Sequence, residues 1–434
     1  MIFGMKLRQL WLPVSLGIAM VISLGLSVML WTNPAHSTLS SRTKVTKTND
    51  NSNNTTFQDI YLPSQIVSTD SKGQQEVLTN DKINIASQLR DKMSRFTATD
   101  VQTVSERSSK AYLKQLKRKS TVLLNYETPM TVNFFRKVFD NQLKVPNQKF
   151  NRVQLLLNDP KHLYLLNDQT LRVARVKLKN NEAGKLKKVL SDQMVKHPVS
   201  FMMLNGKPLL YYPDALKLKT YSYQLTEQTQ SYYANRIMTT NANSSVQIKH
   251  HKNSTVYDDH GFRHMVVSDK DDTVVFTNYN SQVKSNSFLT TMNHVYQQMV
   301  MVGMPLDNMR FFAYDSGAHT VSFRTYVGGL PVFDQSNFGA VQVQILDQTS
   351  YQMNFSLDSL QVPIPPAQDS ATVESMGTLL KRLEAAGVHK RKIQDIQLGY
   401  TWTRDTGLDK VVNLTPTWYI KIGGKWQTYE EAIQ

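Results

Sequence analysis

The side chains best suited to hold an ion or move a proton lie close together at His250-His251, Asp258-Asp259-His260 and His264. Imidazole nitrogens and carboxylate oxygens are the usual ligands of zinc and related divalent ions. Their spacing here follows no closed ligand pattern. Phe262 to Val267 reads as a strand, on which His260 and His264 would share a solvent face. Solvated edge and loop histidines are therefore expected, with no metal site. Asp269-Lys270-Asp271-Asp272 opens like a calcium loop, but Val274 stands where an EF-hand needs glycine and Asn280 where it needs glutamate. A turn between two strands is the expected structure.

Covalent chemistry finds little support. Ser41 with Lys44 and Ser281 with Lys284 match the first element of penicillin-binding-protein-like acyltransferases, but neither is joined by an S-D-N or a K-T-G. The phosphate loop, the GxGxxG turn, the HExxH helix and the GxSxG elbow are all missing. The chain has no cysteine, which removes thiol nucleophiles, zinc ribbons, iron–sulfur ligation and disulfide scaffolds. Glycoside hydrolysis needs a pair of carboxylates distant in sequence, and no particular pair stands out. Tyr211, Tyr212, Tyr232 and Tyr233 are the aromatics a wall-glycan groove would use, although core packing is their expected role. The chain reads as a non-enzyme without catalytic residues, bound metal or cofactor.

The elements that carry these residues begin with an uncharged run, Leu10 to Trp31, reading LWLPVSLGIAMVISLGLSVMLW. As a helix it would reach about 33 Å, the thickness of a bilayer's hydrocarbon core. Trp11 and Trp31 stand at its ends, where amphipathic rings favour the headgroup level, and Pro13 falls in the first turn. Lys6 and Arg8 precede the span and no charge follows until Arg42, which places the short N-terminus in the cytoplasm and the bulk of the chain outside. The apolar run is too long for a signal peptide and lacks a small-x-small cleavage site at Ala35, so an uncleaved anchor is expected. Ser15, Ala19, Ser23 and Ser27 recur every fourth residue along the span. That spacing lets helix backbones approach closely in lipid, and it marks a candidate contact with partner helices.

Residues 32–56 form a polar tract that cannot bury enough surface to order itself and read as a tether. Beyond it the sequence is α+β, with helices packed on antiparallel sheets. Helices are expected over Ile83 to Phe96, over Val104 to Leu116 and around Phe134 to Val138. Strands are expected at Thr121 to Tyr126, Val153 to Leu157 and Leu171 to Leu178. A helical stretch followed by several strands then recurs from about Tyr223, Ser287 and Thr372, with Pro363-Ile364-Pro365-Pro366 as a break. The resulting division is a cytoplasmic terminus 1–9, span 10–31, tether 32–56, and extracytoplasmic segments 57–212, 213–285 and 286–434. Lys plus Arg number 50 against 34 Asp plus Glu, a formal charge of +16 that favours anionic surroundings. The one dense basic run, Lys114 to Lys119, lies on an expected helix with Leu113 and Leu116 and has no nucleic-acid motif beside it. Lipid headgroups and wall polymer are the anions expected outside the cell, not nucleic acid.

Three stretches together resemble a known family. Lys6-Leu7-Arg8 and the span lead into Trp31-Thr32-Asn33-Pro34; a strand reads FRTYVGGLPVF from Phe323 to Phe333; and the C-terminus reads LTPTWYIKIGGKW from Leu414 to Trp426. The layout resembles the YycH family, extracytoplasmic regulators of the WalK/WalR (also YycG/YycF) two-component system of low-GC Gram-positive bacteria. The resemblance implies a single-span protein with extracytoplasmic α+β domains, the later ones similar to the related YycI protein. It implies action with a YycI-type partner on a WalK-type sensor histidine kinase, and through it on cell-wall metabolism. No catalytic residue is carried over. The competing readings are a binding module for anionic wall polymer and a wall-associated hydrolase.

Overall fold

The computed structural model describes Met20 and residues 55–80, 84–179, 186, 190, 194–238, 246–283, 287–333, 336, 339–366, 369–408 and 410–434. The chain divides into two units, 1–51 and 52–434, and apart from Met20 the described residues belong to the second. The expected span lies outside them except for Met20, which is helical and exposed. Among the described residues no helix is long and apolar enough to cross a membrane.

The second unit is α+β. Its chain enters at Thr55, whose hydroxyl donates to Asp307 Oδ1 at 3.1 Å and whose carbonyl accepts from the Tyr296 hydroxyl at 3.2 Å. A one-turn helix, Phe57–Ile60, follows, with Asp59 Oδ2 accepting from the Thr56 N–H at 3.0 Å. Phe57 then meets Phe134 and Tyr296 edge-on, at 5.9 and 5.6 Å between ring centres.

Among the described residues ten strands build the first sheet, all within Gln65 to Tyr211. Its middle runs Gln65–Thr69, Thr121–Thr131, Lys149–Leu156, His162–Asn167 and Arg172–Leu178, each antiparallel to the next. The register places Leu124, Val153, Leu165 and Ala174 in one row across the sheet. That row packs into one core, with the helices Ile85–Met93 and Val132–Phe139. Side chains alternate across a pleat, so the neighbours Leu123, Leu156, Leu166 and Val173 face a second core on the opposite side. Both faces are covered, which is why Lys149–Leu156 reads as a nearly unbroken buried run.

Among the described residues a fourteen-stranded sheet and a two-stranded one, Leu216–Lys219 with Ser370–Val373, occupy the remainder. A meander from Gln247 to Asn278 pairs with Tyr351–Ser356, then Val341–Ile345, then Thr320–Val327. The short strand Leu330–Phe333 passes the sheet on to the long hairpin Ile393–Arg404 and Val411–Ile422, in parallel pairing with its first arm. The junction is tight: a Cβ on Gly399 would stand 2.6 Å from the Phe333 ring and 2.9 Å from the Pro331 carbonyl oxygen. Trp418, fully buried, donates its indole N–H to the Glu374 carbonyl at 2.8 Å. The first core is shared between residues of the ten-stranded sheet and residues from Tyr233 to Leu357, and the second with residues from Leu216 to Ile420.

Three local expectations are corrected. Val104 lies in the strand Thr97–Ser105, and helix begins only at Ser109, capped by Ser108, whose hydroxyl accepts from Ala111 N–H. The β-branched Thr and Val residues of that stretch favour the pleated backbone. Tyr221–Glu227 is likewise a strand, with helix confined to Gln230–Ile237 after the Thr229 cap. Pro363 does not break structure: it sits in Asp358–Ile364, the edge strand beside Tyr221–Glu227, where a missing N–H is tolerated.

Candidate functional site

Residues of the two large sheets line an open cavity of about 870 Å³. The strand Thr121–Thr131 carries Asn125 and Glu127 to its wall, and the ladder to Lys149–Leu156 breaks register between Asn125 and Met130, releasing Glu127 from the regular pleat. From the other side, Ile393–Arg404 carries Asp395 and Gln397, again beside a register shift between Ile393 and Asp395. Irregular pairing of this kind re-aims side chains. Gln397 Nε2 donates to Glu127 Oε1 at 3.2 Å across the gap, and Asp395 Oδ1 accepts from the Ile396 N–H at 2.8 Å.

Charge in the cavity is unevenly partnered. Arg152 grips Asp168 with two donors, Nε at 2.8 Å and Nη2 at 2.9 Å, and Tyr112 donates its hydroxyl to the same carboxylate at 2.5 Å. Burial works against the Arg152 charge, yet Asp168 holds its pKa above the ordinary value. Among the described residues Glu127 and Asp395 have no such partner. Burial, and then the neighbouring Asp395, push the Glu127 carboxyl up to about 8. Burial raises Asp395 to about 6, against the Ile396 N–H and the positive charges of Lys421, Arg152 and Lys207. Burial and the Glu127 charge also raise Tyr212, which stands in the same wall. The arrangement can store a proton near neutrality and offers hydrogen-bond acceptors to a guest.

Of the candidate site residues singled out in the sequence, Tyr212 lines this cavity, and the others lie elsewhere or outside the described residues. Lys6, Arg8, Trp11, Ser15, Ala19, Ser23, Ser27 and Trp31 fall outside the described residues, as do Ser41, Lys44 and Lys284. His260 is not on a strand; it occupies the turn before Arg263–Ser268 with φ 57°. Its N–H donates to Asp258 Oδ1 at 2.7 Å, and His264 Nδ1 lies 3.4 Å from Oδ2. The His260 N–H and then His264 hold the Asp258 carboxyl below its usual range. His250 and His251 lie on the exposed outermost strand, Gln247–His251. Among the described residues no three His, Asp or Glu side chains group as metal ligands. Asp269 to Asp272 form the turn between Arg263–Ser268 and Thr273–Asn278. Tyr212 and Tyr233 are buried in the cores, Tyr211 is half-buried and Tyr232 is exposed. Sequence reasoning missed the cavity because Asp395 and Gln397 look like ordinary alternation among Ile393, Ile396 and Leu398. Only Glu127, ending the apolar run of Thr121 to Tyr126, gave a local signal.

Comparison with known proteins agrees with this architecture. No curated protein sequence matches the chain. The crystal structure of YycH from Bacillus subtilis superposes with a TM-score of 0.68 at 15% identity, covering 86% of this chain and 97% of that one. An uncharacterized protein from Eubacterium rectale reaches a TM-score of 0.31 at 10% identity, over 53% of this chain and 88% of its own, too low an overlap to inform the fold. Two family models span nearly the whole sequence, the N-terminal domain of YycH protein over residues 13–195 and its C-terminal domain over 208–432. The chain therefore belongs to the YycH family, regulators of the WalK/WalR two-component system.

Proposed function

We propose that this protein is a single-pass membrane regulator that modulates a WalK-type sensor histidine kinase together with a YycI-type partner. The observation that carries the reading is the match of both YycH domain models, over residues 13–195 and 208–432. The uncharged run from Leu10 to Trp31, with Lys6 and Arg8 before it, supports an anchor whose short N-terminus is cytoplasmic. In this reading the bulk of the chain is extracytoplasmic, in the three segments 57–212, 213–285 and 286–434. The Ser15, Ala19, Ser23 and Ser27 side of the span packs against the membrane helices of the kinase. Such a contact biases two signalling states only if it differs between them, and a differential of about 1–3 kcal/mol is enough.

Co-purification of the kinase from membranes tests this. Full-length protein is expected to retain the kinase, and Ala19→Leu with Ser23→Leu to reduce recovery about tenfold or more, since bulky side chains block close helix approach. Unchanged recovery with the double variant removes the span from the contact. Failure of the unmodified protein to recover the kinase overturns the reading, and wall-polymer binding then becomes the account to test.

A further inference from the structure

Among the described residues, two side-chain acceptors on the wall of the cavity between the sheets have no partner. Asn125, only 5% exposed, donates its Nδ2 to Gln65 Oε1 at 3.1 Å and leaves its own Oδ1 without a partner. Gln397 spends its Nε2 on Glu127, and its Oε1 is also unpaired. Gln65 in turn donates to the Tyr212 hydroxyl at 3.5 Å, so the first amide belongs to a short hydrogen-bonded chain along the wall. Buried acceptors left open are a standing cost that a bound donor removes. Beside them, Glu127 and Asp395 each accept one hydrogen bond and form no ion pair among the described residues. Arg152 is committed to Asp168 and is not available to them. The remaining wall includes apolar surface from Leu209, Leu330 and Pro331.

We propose that this cavity binds a small molecule bearing a primary ammonium group, whose N–H donors are accepted by Glu127, Asp395, Asn125 and Gln397. An ammonium presents three donors and no acceptor, the complement of this wall. A metal ion is the poorer fit, because among the described residues no three carboxylate or imidazole groups assemble here. The volume of about 870 Å³ leaves room for the rest of a molecule against the apolar wall. Protonation gives independent support. Burial, and for Glu127 the Asp395 charge, keep a proton on the Glu127–Asp395 pair near neutrality, with Arg152, Asp168, Lys207, Lys421, Tyr212 and Tyr326 as the other titratable groups acting on it. An ammonium would take the place of that proton. Binding should then release a proton and strengthen as pH rises through the range of the pair. The inference stands independently of which kinase or partner the protein regulates.

The test is isothermal titration of the full chain in detergent micelles with 1,5-diaminopentane, at about pH 6 and about pH 8. One saturable site is expected, about tenfold tighter at the higher pH, with heats in two buffers reporting proton release. Glu127→Gln with Asp395→Asn should weaken binding by about tenfold or more while thermal unfolding remains cooperative. Lys421→Gln supplies a variant of opposite sign: removing a cation that competes for the same carboxylates should tighten binding at about pH 8. Absence of saturable binding overturns the proposal, as does binding that ignores the double variant or weakens in Lys421→Gln. Displacement of the amine by calcium or magnesium at equal concentration overturns it in favour of a metal site.

Discussion

Glu127 stands in an environment far from what a carboxylate prefers. In the folded protein its carboxyl keeps a proton up to about 8, whereas an unperturbed one releases it near 4.5. The native state therefore binds more protons than the unfolded chain between those values. Stability from this source is complete below the lower pKa and is lost as pH rises toward the upper one. Asp395, raised to about 6, acts in the same direction over a lower range. Thermal unfolding followed by circular dichroism should show the melting temperature falling between about pH 5 and about pH 8. Glu127→Gln, isosteric and uncharged, should flatten most of that fall and be the more stable form at the alkaline end. An unchanged slope would mean that the carboxyl is solvated and ionised like a surface one.

At the level of elements, the parallel strand Leu330–Phe333 is the splice between the two halves of the fourteen-stranded sheet. Phe333 stacks on Tyr419 at 3.8 Å and closes over Gly399, where a Cβ would collide with its ring. Gly399→Ala should cost about 1–3 kcal/mol through overpacking, read from urea denaturation, and a neutral result would show that the ring can move aside. The residues explain which elements were legible beforehand. Val132–Phe139 and Met376–Ala385 are amphipathic and capped by Thr131 and Ser375, so periodicity found both. Arg172–Leu178 has the alternation of a strand. Tyr221–Glu227 was lost because it lies directly against a true helix, and its pairing partners, Asp358–Ile364 and Val411–Ile422, are distant in sequence. The cavity was illegible for the same reason: it exists only where strands far apart in the chain come face to face.

For the molecule as a whole, the decisive fact is that neither core belongs to one stretch of sequence. The row Leu124, Val153, Leu165 and Ala174 shares its core with Met292, Val295 and Phe355, while Leu123 and Leu156 share theirs with Leu398 and Trp418. A fragment ending at Tyr212 would keep its own helices and uncover the rest of both faces of its sheet. It should bind the dye ANS and lack a cooperative thermal transition, whereas the intact protein should unfold in one step. A sharp transition in the isolated fragment would show that its sheet is self-sufficient. The root of this body has a mechanical consequence. Thr55 is tied to Asp307 and Tyr296, and Phe57 is wedged between Phe134 and Tyr296. Tension reaching Thr55 would therefore be passed through Tyr296 to the helix Phe288–Val302, and not to the N-terminal turn alone. The body is gripped at its root like a lever at its fulcrum, so that a pull or a twist delivered there is felt in the first core.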